Sequence, residues 1–317
     1  MKPIGGYFEL ELPHAVEYHS KAIALNTGRN CLEYILRVRG YRNVYLPYYS
    51  CEVLLEPFRK LDVNYMFYHI NERLEIEEPI SLDDDEALLY INYFGLKQEC
   101  VESLAQQYGS RLIVDNTQAF FARHIEAIDT FYSCRKFFGV ADGAYLYCDK
   151  QLEMDLEQDQ SWQRMGYLLK RIDDSPEAAY SDFRAKSEQL KDNPIMTMSC
   201  LTQRIMMSID YNQVAACRRE NYKMLDEALG DSNGIKLELD DDAVPMIYPF
   251  LATDLNLRQR LIDNRVYVAQ YWPNVFDWCN EDNNDYQLTK HLLPLPIDQR
   301  YGKEEMNTII KIILERI

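Results

Sequence analysis

The stretch RLIVDNTQAF, Arg111 to Phe120, decides how this chain is read, together with DTFYSCRKFFGVADGAYLY, Asp129 to Tyr147. In the first, the apolar run Leu112-Ile113-Val114 predicts a buried strand that ends by delivering a carboxylate, Asp115. In the second, two strands, Ile128 to Ser133 and Gly143 to Cys148, flank a loop carrying Lys136, 21 residues after Asp115. A carboxylate at the end of a buried strand is costly to desolvate and needs a cationic or hydrogen-bonding partner. The plain alternative is a cap for a short helical turn beginning at Thr117.

Outward from this pair, apolar strands alternate with helical segments. Strands are predicted at Asn43 to Leu46, Val63 to Tyr68 and Glu86 to Asn92, and helices at Ser50 to Leu61 and Gln98 to Tyr108. The segment TGRNCLEYILRVRG reads as a helix, with Cys31, Tyr34, Ile35 and Val38 at helical spacing and Gly40 as its stop. Such alternation predicts an α/β protein with a mainly parallel sheet between helices, whose ligands bind beyond the carboxyl ends of the strands. From Gln151 to about Leu229 the pattern is helical and polar. A smaller α/β unit follows, with strands at Ile235 to Leu239, Met246 to Leu251 and Val266 to Tyr271 and helices at Leu255 to Asn264 and Lys303 to Arg316. The expected division is a large ligand-binding domain, 1–205, and a small C-terminal domain, 206–317.

The 317 residues exceed what one core usually serves, and 47% hydrophobic content is enough to bury a sizeable one. The charge, 34 basic minus 51 acidic groups or −17, speaks against nucleic-acid binding, which draws on clustered cations. No apolar stretch approaches a membrane span, and the start MKPIGGYFELELP lacks the layout of a secretory signal, so a cytoplasmic protein is expected. Eight cysteines without a C-x-x-C pair predict free thiols and no metal. No G-x-G-x-x-G follows the first strand, which removes the dinucleotide-binding reading.

A strand-borne carboxylate followed by an amine in a Ser-x-x-Lys loop is what a pyridoxal-phosphate (PLP) site requires: the amine forms a Schiff base and the acid keeps the pyridine nitrogen protonated. In this reading Lys136 and Asp115 are the catalytic pair. Phe131, Tyr132, Phe137 and Phe138 are expected to desolvate Lys136, lowering its pKa for imine formation. Ser133 can bind the phosphate, Arg135 can add charge, and Gln118 can donate to the cofactor's phenolic oxygen. Gly28, Arg29 and Asn30 open the first helix, where unpaired N–H groups favour an anion. Taken singly, each has an ordinary explanation as a cap, a surface amide or a solvated charge. Their joint occurrence in this order is the argument.

These residues resemble the DegT/StrS-type family of PLP-dependent sugar aminotransferases, of fold-type I. The likeness rests on Thr27-Gly28-Arg29-Asn30-Cys31-Leu32 for the phosphate turn, Asp115-Asn116-Thr117-Gln118, Ser133-Cys134-Arg135-Lys136, Asp142-Gly143-Ala144, Asn92-Tyr93-Phe94-Gly95, and the tail His291 to Met306. It implies a homodimer with active sites at the interface, and transfer of an amino group from glutamate to a keto sugar carried on a nucleotide. Arg29-Asn30 depart from the family's small residues. The family's ring-stacking position falls near Cys51, while Tyr49, ahead of Tyr48, is the aromatic chosen here. Tyr248, Tyr271, Trp272 and His291 are candidate substrate contacts. Two rivals remain: a non-transaminating PLP enzyme, a dehydratase or isomerase whose family variants carry histidine where Lys136 stands, and a non-catalytic binding protein keeping the fold.

Overall fold

The computed structural model describes residues 4–315. In chain order the elements are β1 (Ile23–Leu25), α1 (Gly28–Arg39), β2 (Asn43–Pro47), α2 (Leu55–Leu61), β3 (Asn64–Tyr68), β4 (Glu86–Ile91), α3 (Gln98–Tyr108), β5 (Leu112–Asn116), β6 (Asp129–Ser133) and β7 (Ala144–Tyr147). The helices α4 (Gly166–Asp173), α5 (Pro176–Glu188), α6 (Cys200–Met207) and α7 (Tyr211–Leu229) follow. The chain ends with β8 (Ile247–Leu251), α8 (Leu257–Asp263), α9 (Val275–Trp278), α10 (Asn284–His291), β9 (Leu292–Pro296) and α11 (Lys303–Leu314).

The first seven strands form one sheet in the order β1-β7-β6-β5-β4-β2-β3. From β3 to β6 every pairing is parallel, while β7 runs antiparallel to both β6 and β1. This is the mainly parallel α/β sheet expected from the alternation. The central strands β4, β5 and β6 are buried along their whole length, because helices cover both faces. The edge strand β3 instead exposes Tyr65 and Met66.

Helix α1 lies where its ends fix it. Thr27 Oγ1 accepts the Asn30 N–H at 3.2 Å at the start, and Gly40, at φ 69°, closes the other end by donating to Leu36 O. Arg39 then grips Asp129 with two hydrogen bonds of 2.7 Å, tying the last turn to the first residue of β6. The register of β1 on β7, Leu25 opposite Ala144, brings the start of α1 to the same edge of the sheet as Ser133, which pairs with Ala144 from the other side.

The segment after Asn233 departs from its sequence pattern. Only β8 and β9 pair there, as an antiparallel two-stranded sheet, and β9 was not among the predicted strands. Ile235 to Leu239 and Val266 to Tyr271 are extended in composition but have no ladder. The first buries Ile235 and leaves alternate residues open, and the second inserts Val268 into the core. β-branched and apolar alternation states that a segment suits a half-buried surface, but a strand also needs a neighbour for its backbone. Pro176, read as a break, is the first residue of α5 behind the cap Ser175. All eight cysteines are free thiols, and no helix among the described residues is long and apolar enough to cross a membrane.

Candidate active site

Asp115 is the next-to-last residue of β5 and is only 3% exposed. Its Oδ1 accepts the Thr117 N–H at 2.8 Å, which turns the chain sharply after the strand. The cap reading therefore holds locally as a turn, although no helix begins at Thr117. Burial pushes the Asp115 carboxyl up to about 6, against the opposing pull of the Thr117 side chain and N–H and of the Lys136 charge. A buried acid with a raised pKa beside an amine is what remains when a site supplies less positive charge than its carboxylate needs.

Lys136 closes a single turn of 3-10 helix, Cys134–Lys136, that starts from the end of β6. Here the expectation of a desolvated lysine fails for the single chain: Lys136 is exposed. The aromatic neighbours turn inward, with Phe131, Tyr132, Phe137 and Phe138 all buried in the core, and the turn leaves the amine outside. Lys136 makes no ion pair among the described residues.

The turn itself is braced from the C-terminal part of the chain by residues the sequence reading did not single out. Gln299 Nε2 donates to Phe137 O at 2.8 Å, and its Oε1 accepts Arg218 Nε at 3.0 Å. Arg218, 1% exposed on α7, lies 4.5 Å above the Phe137 ring and donates to Met246 O at 2.9 Å. Burial lowers its pKa to about 10, so it stays charged at neutral pH. An arginine among apolar residues in a helix carries no sequence signal that separates it from a surface charge, so only the fold could reveal it.

Beyond Lys136 the chain re-enters the sheet through Asp142-Gly143. Gly143 has φ 108°, and a Cβ there would sit 2.9 Å from Thr202 Cγ2 and 3.1 Å from Cys134 Sγ, so only glycine fits. The buried Asp142 carboxylate accepts the Ser199 N–H and hydroxyl at 2.9 and 2.8 Å, and the Thr202 hydroxyl, fastening the start of α6 to this turn.

At the mouth of α1 the three predicted donors differ. Gly28 approaches the Asp115 turn so closely that a Cβ would meet Thr117 Cγ2 at 3.2 Å. The Asn30 N–H is occupied by Thr27, and the Asn30 side chain donates to Pro194 O at 2.5 Å, so Asn30 supports a neighbouring loop. The Arg29 side chain pairs with Glu56 at 2.5 Å, leaving its backbone N–H beside that of Gly28 as the groups available to an anion. Arg135, with Nη2 on Ser187 Oγ at 3.0 Å and Nε lacking a partner, is held between the turn and α5.

Gln118 is 3% exposed, and its Oε1 accepts the Phe94 N–H at 3.1 Å. Phe94 sits at φ 60°, a left-handed conformation that costs roughly 1–2 kcal/mol for such a residue. Gln118 and Met246, whose N–H reaches Phe94 O at 2.8 Å, together hold it. The amide nitrogen of Gln118 is the end left for a ligand. Tyr49 is fully buried, edge-on to Trp272 at 4.7 Å, with its hydroxyl unpartnered. Tyr48 stacks instead on Phe67 and His69, and Cys51 is half-buried. Tyr271 stacks on Phe94, so it and Trp272 belong to this neighbourhood. Tyr248 donates to Asp226 and accepts from Asn233 elsewhere, and His291 lies in a separate cavity.

The donor set fits PLP. A buried acid, an amine without an ion pair among the described residues, first-turn N–H groups with a close-packed glycine, and a serine hydroxyl at the end of β6 lie on adjoining elements at the carboxyl end of the parallel strands. The sheet that carries them is mainly parallel, with β7 antiparallel to its neighbours and helices on its faces, as the sequence led one to expect.

The sequence matches no protein-family model and no curated protein. The fold, however, is that of solved aminotransferases. It is similar to S. venezuelae DesV in complex with a ketimine intermediate, at TM-score 0.65 and 16% identity, covering 93% of this chain and 85% of that one. A DegT DnrJ EryC1 StrS aminotransferase from Brucella abortus matches at 0.60 and 14%, covering 92% and 84%. The putative sugar aminotransferase Spr1654 from Streptococcus pneumoniae, in its PMP-form, matches at 0.62 and 13%, covering 92% and 84%. Identities this low establish a shared fold.

Proposed function

We propose that this chain is a PLP-dependent aminotransferase, moving an amino group from glutamate or a similar donor to the keto group of a sugar, one carried on a nucleotide. The observation that carries the reading is Asp115: a buried carboxyl raised to about 6, next to Lys136, at the strand ends where such folds bind ligands. When bound, PLP supplies an electrophilic carbon for amines and a ring that withdraws electrons from the bonds being broken.

The protein's own groups divide the remaining work. Asp115 would hold a proton on the cofactor's ring nitrogen, and that positive charge would also offset its own desolvation. Lys136 would hold the cofactor through its Nζ and, when that nitrogen is free, would act as the base that takes a proton from the donor's α-carbon and delivers one to the acceptor. The Gly28 and Arg29 N–H groups with the Ser133 hydroxyl would anchor the phosphate, the Gln118 amide nitrogen would serve the phenolic oxygen, and Asn30, bonded to Pro194 O, would keep the turn in shape. Tyr49 is the aromatic candidate beside the ring.

The same reading includes a homodimer that completes the site. Lys136 is open in the single chain, and the N-terminal arm leaves Tyr7 and Phe8 more than nine-tenths exposed, apolar surface that a second copy would bury. It also includes a cytoplasmic setting and the division into 1–205 and 206–317.

The test is spectroscopic. Purified protein titrated with PLP should acquire a visible absorbance that glutamate then bleaches. Colour that no amino donor bleaches would point to the dehydratase or isomerase chemistry, and failure to bind PLP would remove the assignment altogether.

A further inference from the structure

A second site lies away from Lys136. The sequence reading marked His291 as a substrate contact, yet none of the PLP candidates lines the cavity it occupies. That cavity, about 240 Å³, opens between α8 and the junction of α10 with β9. Three basic side chains face it, Arg258, Lys290 and His291, with the amides of Gln259 and Gln270. Its acidic member, Asp254, is already engaged, accepting Arg260 Nη1 at 3.0 Å and the Asn256 N–H at 2.9 Å.

The basic groups have not found counterparts. Arg258 Nε is buried without a hydrogen-bond partner, and neither Arg258 nor Lys290 forms an ion pair among the described residues. His291 Nδ1 meets Ala252 O at 3.1 Å, and since a carbonyl only accepts, that nitrogen carries the proton and Nε2 is left for a ligand. In a chain of net charge −17, an arginine and a lysine without carboxylate partners on one small cavity run against the overall field. A guanidinium and an ammonium from separate elements match a compact oxyanion with several acceptor atoms.

We propose that this cavity binds a phosphate-class oxyanion, either inorganic phosphate or the phosphate of a larger ligand. The site stands independently of the PLP assignment.

Calorimetry on the PLP-loaded protein at low ionic strength, with sulfate and inorganic phosphate as probes, tests it. A single saturable site with Kd on the order of 1 mM is expected. Arg258→Gln and Lys290→Gln should each weaken it about tenfold, the loss of one charged hydrogen bond. Arg171→Gln, an exposed charge on α4 outside both sites, should leave it unchanged. Lys290 is exposed, so its variant decides the matter even if Arg258→Gln fails to fold. No saturable binding by the wild type, or binding that Lys290→Gln weakens no more than Arg171→Gln does, overturns the proposal. If the protein takes up no PLP, the same isotherms on the cofactor-free chain keep this test separate from the aminotransferase one. A nucleoside diphosphate binding at least tenfold tighter than phosphate, with the same sensitivity to the two variants, assigns the site to a larger ligand, and equal affinity assigns it to free phosphate.

Discussion

Asp115 and Lys136 stand at the ends of adjacent strands, yet their surroundings are opposite. The acid is enclosed and turned by Thr117, whose methyl lies close to Gly28 of α1, so it is buried within one chain. The amine stands on a braced backbone but is open to solvent. The difference teaches which half of the site a single chain can build. The electrostatic half depends on burial, which one chain provides, while the amine stays open, and in the homodimer proposed above the second copy would cover it.

Replacing the amine gives the largest expected effect. Lys136→Ala should abolish the borohydride-reducible adduct with PLP, read by intact-protein mass, and lower turnover on the order of 10³ or more. Because the side chain is exposed, stability should stay within about 0.5 kcal/mol of wild type. An adduct that persists would move the covalent role to another lysine and dissolve the contrast.

The acid predicts a smaller effect with a distinctive sign. The Asp115 pKa rises from 3.8 to about 6 on folding, so its stabilising contribution is complete below pH about 4 and lost as pH climbs through 6. Above that, the cofactor-free protein carries a buried charge. Asp115→Asn keeps an oxygen for the Thr117 N–H and removes that charge. The cofactor-free variant should therefore be more stable than wild type at pH 7.5, by up to about 3 kcal/mol, with the gap closing near pH 4. Urea unfolding at the two pH values measures it. With PLP the order should reverse, the variant losing affinity and turnover.

The same contrast explains what was legible in the sequence. Strands β2 to β7 and helix α3 follow from apolar runs and their breaks, because central parallel strands are buried on both faces and their composition says so. Asp115, Lys136 and Gly143 were legible because each breaks the local pattern, as a charge ending an apolar strand, a charge among aromatics and a glycine at a turn. Lys136's exposure was not, since residue order states which neighbours are aromatic but not which way a 3-10 turn sends them. The absence of a strand at Ile235 to Leu239 was not legible either, because pairing depends on what β8 and β9 do some ten and more residues later.

The smallest effect tests the brace under the amine. Gln299 ties Phe137 O to Arg218, so Gln299→Ala removes two hydrogen bonds of 2.8 and 3.0 Å, while Arg218 keeps its contacts with Met246 O and the Phe137 ring. The expected loss is about 1–2 kcal/mol in unfolding free energy. If the bonds serve position as well as stability, amide exchange should speed at Phe137 and Phe138 more than along β6, and PLP affinity should fall while the pH dependence set by Asp115 stays in place. Uniform acceleration through β6 and the turn would mean that Gln299 merely supports the core. Exchange confined to the turn would show that the exposed amine is aimed by its backbone, from a part of the chain more than 150 residues away, with 162 residues separating Gln299 from Phe137.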